Sequence, residues 1–302
     1  MTMSLDARST DTEATTREDL PAAEGRGPGV QIDFAATTHP GKVRSNNEDH
    51  YLIAKLAKSM RICQSSLPAD TATRFSDEEG YLMIVADGMG GAAAGEMASA
   101  LAVRTVENFV LDTLKWFLHV GKEQSVLAAE LRLGLERADR EVMDRAGTDG
   151  RLAGMGTTLT MAYSVSTDLY LVHAGDSRAY LFRDDHIEQV TRDHTYVQML
   201  VEQGQLSPEA AKHHQRRNIV TNVIGGPSVG VYAEIHKARL TDGDVLLLCT
   251  DGLTEPVDDP TIAAVLREHP VPRDACQVLL KLALDRGAPD NVTIVVARYA
   301  LQ

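Results

Sequence analysis

Acidic residues stand at the ends of apolar, strand-like runs at five places in the sequence. They are the pair Glu48 and Asp49, followed by Asp87, Asp176, Asp251 and Asp290. Strand ends are held rigidly, so carboxylates placed there can converge on one point. A ligand set of carboxylates, without histidine or cysteine, favours hard cations such as Mg²⁺ or Mn²⁺ over zinc. The sequence therefore predicts a divalent-metal site built from oxygen ligands.

Any one of these positions is weak evidence, because an Asp-Gly pair usually marks a turn. We predict such a turn at Asp242-Gly243. Several strand-terminal carboxylates together favour a shared function over separate turns. The glycines in Gly88–Gly91 follow Asp87 directly, and glycine lets the backbone approach an ion or a phosphate closely. Glu96 is interpreted differently, as an acid that compensates the dipole at the start of a helix.

Hydrophobic periodicity predicts the elements that must position these residues. Val30, Ile32 and Phe34 alternate with polar residues, as in a half-buried strand. Further strands are predicted at 51–54, 81–86, 157–165, 169–174, 179–182, 232–238, 245–249 and 292–298. Helices are predicted at 95–119, 122–146, 194–203, 261–268 and 274–285. Strands in runs, with two consecutive helices inserted, predict an α+β fold with antiparallel sheets rather than a doubly wound parallel sheet.

Three segments fall outside this pattern. Residues 1–29 are rich in Thr, Ala, Gly, Pro and acidic residues without a hydrophobic period, which predicts a disordered N-terminal tail. Residues 57–79 are polar and irregular and are predicted to form a long hairpin insertion. A polar segment near 204–226 contains Pro208 and is predicted to form a surface lobe. The sequence assigns no function to the tail or to the insertion.

Composition excludes several classes of protein. The chain has 302 residues, 43% of them hydrophobic, which is enough to bury a sizeable core. Its formal net charge of −13 disfavours binding to nucleic acid. Three cysteines without a CxxC motif predict neither a disulfide framework nor a zinc knuckle, and a reduced, cytoplasmic location fits. No apolar stretch is long enough to predict a membrane span.

Nine segments, in order along the chain, resemble the motifs of the metal-dependent Ser/Thr protein phosphatases in their bacterial form, the PPM or type-two-C family. They are Arg44–Asp49, Val85–Gly91, Gly95–Ser99, Met155–Thr158, Ala174–Arg178, Asp193–Val197, Arg217–Asn218, Thr250–Leu253 and Pro289–Thr293. Together they span about residues 30–299, so the resemblance covers nearly everything but the tail. It implies a single phosphatase domain over 30–302 and a four-layer α-β-β-α sandwich of two antiparallel sheets flanked by helices.

The resemblance also implies a set of metal ligands. Asp87 is expected to bridge two Mn²⁺ or Mg²⁺ ions. Asp251 and Asp290 are expected to hold the first ion. The carbonyl of Gly88 and, through water, Glu48 are expected to hold the second.

Further roles follow from the same resemblance. Asp176 is expected to hold a third, weaker metal, as in bacterial relatives. Asp49 is expected to support a metal-bound water, and Arg44 is expected to grip the substrate phosphate. The chain departs from many relatives at Ala92, where they have histidine. Animal members have a histidine where this chain has Met89, so the sequence leaves the general acid unassigned.

The expected activity is hydrolysis of phosphoserine and phosphothreonine in proteins by a metal-activated water at a binuclear Mn/Mg centre. Such an enzyme would oppose a Ser/Thr protein kinase, and a monomer is expected. Two metals can lower the pKa of a bound water and neutralise charge on phosphoryl oxygens, and an arginine fork matches a phosphate. Two alternatives remain: a catalytically impaired member acting as a binding or signalling module, and a phosphatase of small phosphate esters.

Histidines can serve as metal ligands or as general acids, but the positions of His173 and His194 in the predicted strands and helices favour packing roles. His173 alternates within a strand and is predicted to be packed, and His194 is predicted to cap or pack at the start of a helix. His213-His214 and Arg216-Arg217 lie in the polar lobe, which in the family is a flap beside the active site. Their local positive charge fits contact with phosphopeptides and fits a solvated loop equally well.

Overall fold

A computed structural model describes residues 30–60, 74–112, 124–227 and 230–301 of the chain. The predicted tail, residues 1–29, lies outside the described residues. Among the described helices, none combines the length and the apolarity that crossing a bilayer would require.

Most strands belong to two five-stranded antiparallel sheets. The described strands are β1 (Val30–His39), β2 (His50–Met60), β3 (Arg74–Ala86), β4 (Gly88–Met89), β5 (Gly156–Thr157), β6 (Leu159–Val165), β7 (Asp168–Ala174), β8 (Arg178–Arg183), β9 (His186–Gln189), β10 (Ile224–Gly225), β11 (Glu234–Arg239), β12 (Val245–Cys249) and β13 (Val292–Leu301). The first sheet has the order β1-β13-β12-β8-β9 and the second has the order β11-β7-β6-β3-β2. A small third sheet has the order β10-β5-β4.

Two long helices are inserted between β4 and β5, and the others follow the later strands. The helices are α1 (Ala92–Asp112), α2 (Gln124–Thr148), α3 (Tyr196–Glu202), α4 (Pro208–Lys212), α5 (Asp251–Thr254), α6 (Asp259–Glu268) and α7 (Pro272–Asp285). One turn of 3₁₀ helix at Gly150–Leu152 follows α2. Side chains of Thr195, Ser207 and Asp258 accept backbone N–H bonds at the starts of α3, α4 and α6, which satisfies donors that a helix start leaves unpaired.

The alternation of side chains along each strand builds three apolar layers. Ile84 in β3 packs toward α1 and α2, whereas its neighbours Met83 and Val85 face the other sheet. Leu247 in β12 packs toward α6 and α7, whereas Leu248 faces the second sheet. A buried aliphatic side chain of this kind contributes about 1.5–3 kcal/mol, so strands buried on both faces are held firmly. The predicted α+β class and the four-layer sandwich are confirmed.

Several boundaries differ from the sequence prediction. Within the insertion predicted at 57–79, residues 57–60 belong to β2, which continues to Met60, and residues 74–79 belong to β3, which begins at Arg74. Residues 61–73 of the insertion lie outside the described residues. Helix α1 begins three residues before the predicted Gly95, since three alanines extend it backward, and its predicted part after Asp112 lies outside the described residues. Strand β9 is absent from the sequence prediction, because a four-residue segment with a single apolar side chain, Ile187, carries too little periodicity.

Candidate metal and phosphate site

The strand register brings the predicted acidic residues to one edge of the sandwich. In the second sheet, β2 begins at His50, opposite Ala86 at the end of β3. In the first sheet, β13 begins at Val292, opposite the end of β1, and the end of β12 pairs two residues further along. Glu48 and Asp49 precede β2, Asp87 follows β3, Asp176 follows β7, Asp251 follows β12, and Asp290 precedes β13. All the segments that carry the predicted ligands therefore meet at this edge.

Asp49 joins the two sheets at this edge. Its side chain is buried, and its Oδ2 accepts hydrogen bonds from the Thr250 hydroxyl at 2.9 Å and the Thr293 hydroxyl at 2.7 Å. The Thr250 oxygen also accepts the backbone N–H of Thr293, so the three residues form one network. The other oxygen, Asp49 Oδ1, is buried without a hydrogen-bond partner, and so is Asp251 Oδ1.

Asn291 fixes the loop that leads to β2. Its Oδ1 accepts the N–H of Glu48 at 2.8 Å, and its Nδ2 donates to the carbonyls of Pro40 and Asn46. Because one amide side chain satisfies three backbone groups, the loop carrying Arg44 and Glu48 is tied to the start of β13. A buried amide with all these bonds is costly to replace, since its partners would be left unpaired.

Arg44 lies within this edge and pairs with a predicted metal ligand. Its Nη2 is 2.7 Å from Asp290 Oδ2, and 56% of the arginine side chain remains exposed. The hydrogen bond and the charge of Asp290 raise the pKa of Arg44 above its ordinary value. The guanidinium is thus anchored beside the acidic cluster while part of it faces solvent.

Close backbone packing surrounds Asp87 and Gly88. The N–H of Asp87 donates to the Thr158 hydroxyl, and its carbonyl accepts from the Thr158 N–H at 2.9 Å. A β-carbon at Gly88 would overlap the carbonyl of Gly95, and one at Gly95 would overlap the Glu48 carboxylate. Glycine at both positions therefore lets helix α1 approach the segment that carries Glu48 and Asp87.

The carboxylates disturb one another electrostatically. Burial, opposed by the two threonine hydrogen bonds, raises the pKa of Asp49 to about 7. Burial and then Asp193 raise the pKa of Asp176 to about 7. Burial followed by the charges of neighbouring carboxylates raises the pKa of Asp87 and of Asp251 well above the ordinary value. Several desolvated acids in one place are unfavourable unless protons or cations offset their charge.

These residues fit hard divalent cations. As placed, no three carboxylates, imidazoles or thiolates of the described residues close a ready-made ligand shell around one point. The orphaned oxygens of Asp49 and Asp251 nevertheless offer buried acceptors to a cation, and the donor set contains only oxygen. Mutual repulsion among the acids opposes their close approach, which accounts for the spacing of the side chains.

A buried pair of histidines holds the backbone next to Asp176. His194 Nδ1 accepts the N–H of Gly175 at 3.1 Å, and its Nε2 lies 2.9 Å from the carboxylate of Glu234. His173 is fully buried and stacks on His194 with ring centroids 4.8 Å apart. Both histidines are packed and hydrogen bonded, which agrees with the packing role predicted from sequence.

Other residues of the site had no predicted role. Thr250, Asn291 and Thr293 lie inside the segments that resemble the phosphatases, and Ser99 closes another such segment, but only their carboxylate neighbours were singled out. Thr250 and Asn291 each stand directly beside a strand-terminal acid, and that adjacency is the sequence signal that could have identified them. Ser99 donates to the Glu48 carbonyl and accordingly holds α1 against the site.

Comparison with known proteins identifies the family. The family model described as "Protein phosphatase 2C" matches residues 61–280. The serine/threonine protein phosphatase PstP of Mycobacterium tuberculosis is 36% identical over 267 residues, 88% of this chain. The serine/threonine phosphatase stp of Listeria innocua is 32% identical over 225 residues, 73% of this chain and 85% of its own length.

A solved structure agrees with these relatives. It is the catalytic domain of PstP in complex with two manganese ions, which is 34% identical and has a TM-score of 0.68 over 90% of this chain and 99% of that one. The chain spans only 45% of the full length of the curated mycobacterial relative. The family match, the two curated relatives and the shared fold agree with the resemblance found in the motifs, and the chain belongs to the protein phosphatase 2C family.

Proposed function

We propose that this chain is a metal-dependent protein serine/threonine phosphatase with a binuclear Mn²⁺ or Mg²⁺ centre. The observation that carries the proposal is the meeting of five acidic segments and Arg44 at one edge of the sandwich, with buried carboxylate oxygens left unpaired. The names of the similar proteins and the two manganese ions of the PstP structure support it. Phosphoproteins as substrates, an opposing kinase, a monomeric state and a cytoplasmic location belong to the same proposal.

The proposed ligands are those that the resemblance implies. Asp87 would contact both ions, Asp251 and Asp290 would hold one, and Glu48 with the Gly88 carbonyl would hold the other. Bound ions would activate water and offset negative charge on the phosphoryl group. All the side-chain ligands are carboxylates, which matches the preference of Mn²⁺ and Mg²⁺ for oxygen.

The proposal gives two further residues roles in binding the substrate phosphate and a water. Arg44 offers a planar fork that matches phosphate oxygens, and it is more than half exposed beside Asp290. Asp49 is oriented by its two threonine bonds through Oδ2, which leaves Oδ1 as the atom able to accept a hydrogen bond from water. The buried Thr250 and Thr293 hydroxyls would keep that carboxylate from rotating.

The test is phosphate release from a phosphothreonine peptide in the presence of Mn²⁺ or Mg²⁺. A phosphotyrosine peptide of the same sequence and a nucleotide panel serve as comparison substrates. We expect the phosphothreonine peptide to be hydrolysed with the highest kcat/KM. Preferential hydrolysis of nucleotides would assign the chain to small phosphate esters, and no hydrolysis of any substrate would assign it to the catalytically impaired members.

Replacing Arg44 with alanine is expected to raise KM for the phosphothreonine peptide about 10-fold, because a charge-assisted fork to the phosphate is lost. If the contact tightens as charge develops, kcat will fall as well. Arg44→Lys should restore only part of the loss, since lysine offers a point charge without a fork. Lys42→Ala, two residues away and also exposed, serves as the control. Wild-type steady-state constants in Arg44→Ala would leave the phosphate site unassigned.

Replacing Asp176 with alanine is expected to preserve two tight metal sites and to lower turnover, because this residue is proposed to hold a third, weaker ion. Calorimetric titration with Mn²⁺ counts the sites, and peptide hydrolysis gives kcat. Asp168→Ala is the control, since Asp168 lies at the opposite end of the same strand and pairs with Lys237. Loss of a tight site in Asp176→Ala would show that the residue belongs to the central pair.

Without divalent ions, the protein is expected to become more stable as the pH falls from 8.5 to 6.5. Asp49 and Asp176 have a raised pKa near 7 in the folded state, so they take up protons there that the unfolded chain does not bind. Their contribution is therefore lost as pH rises through 7. Below 6.5 the buried His173, whose pKa is lowered to about 4, acts in the opposite direction. In chelator, the melting temperature should rise by a few degrees as the pH is lowered from 8.5 to 6.5. A melting temperature that stays constant or falls would contradict the proton uptake assigned to Asp49 and Asp176.

A further inference from the structure

The polar lobe contains a hollow of about 470 Å³ at the surface between the start of α3 and the segment after α4. Tyr196, His213, His214 and Arg216 are among the residues that line it. The described residues that line the hollow include no aspartate or glutamate. In a chain with a net charge of −13, a surface hollow with cationic and aromatic walls differs from the surrounding molecule.

Arg216 differs from the basic residues around it. Lys212 pairs with Glu209 at 3.0 Å, and Arg217 lies 3.6 Å from Glu255. Within the part of the chain that the structure describes, Arg216 forms no ion pair; its guanidinium instead lies over the Tyr196 ring, 5.8 Å from the centroid. Stacking orients an arginine without using its N–H donors, so the donors stay available to a ligand.

His214 adds a second donor to the hollow. Its Nδ1 accepts the backbone N–H of Arg216 at 3.1 Å, which places the proton of the neutral imidazole on Nε2. The ring lies 6.4 Å from that of Tyr196. The wall therefore presents a free guanidinium and an imidazole N–H, a combination that suits an oxyanion rather than a cation or an apolar group.

The segment that lines the hollow is connected by side-chain and backbone contacts to the edge that carries the acidic residues. Arg217, next in sequence to Arg216, reaches Glu255, whose N–H donates to the Asp251 carbonyl at 2.8 Å. The N–H of Tyr196 donates to the Ile219 carbonyl, which closes the base of the lobe. The lobe is thus held against the helical turn that carries Asp251, a proposed metal ligand.

We propose that this hollow is a second oxyanion subsite, which binds a carboxylate or a phosphate carried by the substrate protein near the phosphoresidue being hydrolysed. The inference rests on the proposed phosphatase function and narrows its substrate class to phosphorylated segments that carry an additional negative charge. Arg216 is the specificity-determining residue, and it acts on substrate binding through a part of the substrate that does not react.

The experiment measures kcat/KM for matched phosphothreonine peptides. A residue two to six positions from the phosphothreonine, about 7–20 Å of extended chain, is glutamine, glutamate or a phosphonate analogue of phosphoserine. We expect the wild-type protein to prefer the anionic peptides about 10-fold over the glutamine peptide, mainly through a lower KM. The preference should shrink when salt is raised, because the subsite is exposed to solvent.

Arg216→Ala should reduce this preference to about twofold or less, whereas the matched control Lys212→Ala should retain it. A preference for the phosphonate over glutamate would assign the subsite to a second phosphate, and an equal preference would assign it to acidic residues in general. This inference, but not the proposed function, would be overturned if the wild-type protein hydrolysed the glutamine peptide as efficiently as the anionic peptides. It would also be overturned if Arg216→Ala kept the wild-type preference for the anionic peptides. Failure to hydrolyse any phosphothreonine peptide would overturn the proposed function and this inference with it.

Discussion

Replacement of Asp87 with asparagine is expected to lower kcat for phosphothreonine-peptide hydrolysis by about 10³-fold or more. In the proposed site Asp87 is the ligand common to both ions. Its replacement therefore weakens the binding of two ions whose charges would act on the same phosphoryl group. Each of the other proposed carboxylate ligands would serve only one ion of the central pair, Glu48 through water, so its removal should cost less. The comparison is therefore among Asp87→Asn, Asp251→Asn and Asp290→Asn, measured on one peptide at saturating Mn²⁺.

The fold is expected to survive this substitution. The backbone of Asp87 makes its own bonds to Thr158, which an amide side chain leaves in place. Burial and neighbouring acids raise the pKa of Asp87, so a neutral side chain relieves repulsion and the melting temperature in chelator should equal or exceed that of the wild type. Asp242→Asn alters an Asp-Gly turn whose side chain accepts the Leu301 N–H, and it should leave activity unchanged. Activity of Asp87→Asn within tenfold of wild type would refute the assignment.

Local pattern predicted that the acidic residues stand at strand ends, where they can converge. Asp87 and Asp251 each follow a continuous apolar run, and such runs are strands buried on both faces in the structure. Once neighbouring strands pair antiparallel, alternate strand ends lie at the same edge of one sheet, whereas the meeting of the two sheets' acids depends on how the sheets pack. The same reasoning gave the α+β class.

The hydrogen bonds that position these acids were beyond the reach of the sequence. Asp49 is bonded to Thr250 and Thr293, which are 201 and 244 residues away along the chain. No periodicity encodes a bond between hydroxyl and carboxylate across two sheets, because it depends on how the sheets are offset. The pairing of Arg44 with Asp290, 246 residues apart, is hidden for the same reason.

The boundaries that differ show where local signals compete. Residues 57–60 and 74–79 contain lysine, serine and acidic residues, a composition that is typical of a loop. The two segments nevertheless pair with each other as parts of β2 and β3. The register shift between Ala57 and Ser59 shows that the ladder absorbs an irregularity there rather than ending. Tertiary pairing thus overrides composition, and a two-stranded ribbon of polar residues is recognised only once its partner is known.

Removal of divalent ions is expected to abolish phosphatase activity, to below about 0.1% of the loaded enzyme, and added Mn²⁺ or Mg²⁺ should restore it. The proposed ligands are carboxylates and a carbonyl. The cysteine at this edge, Cys249, is buried, and burial raises the pKa of its thiol to about 12, so it offers no nucleophilic thiolate and the proposed chemistry depends on the ions. Ion binding should also raise the melting temperature in proportion to the logarithm of ion concentration above Kd, because the folded state alone holds the ligands together. That second measurement separates loss of ions from damage by the chelator, and Asp87→Asn should show a smaller rise than Asp242→Asn. Full activity in excess chelator would sink the metal-dependent mechanism, whereas loss of activity that Mn²⁺ and Mg²⁺ both fail to restore would assign the site to a different ion.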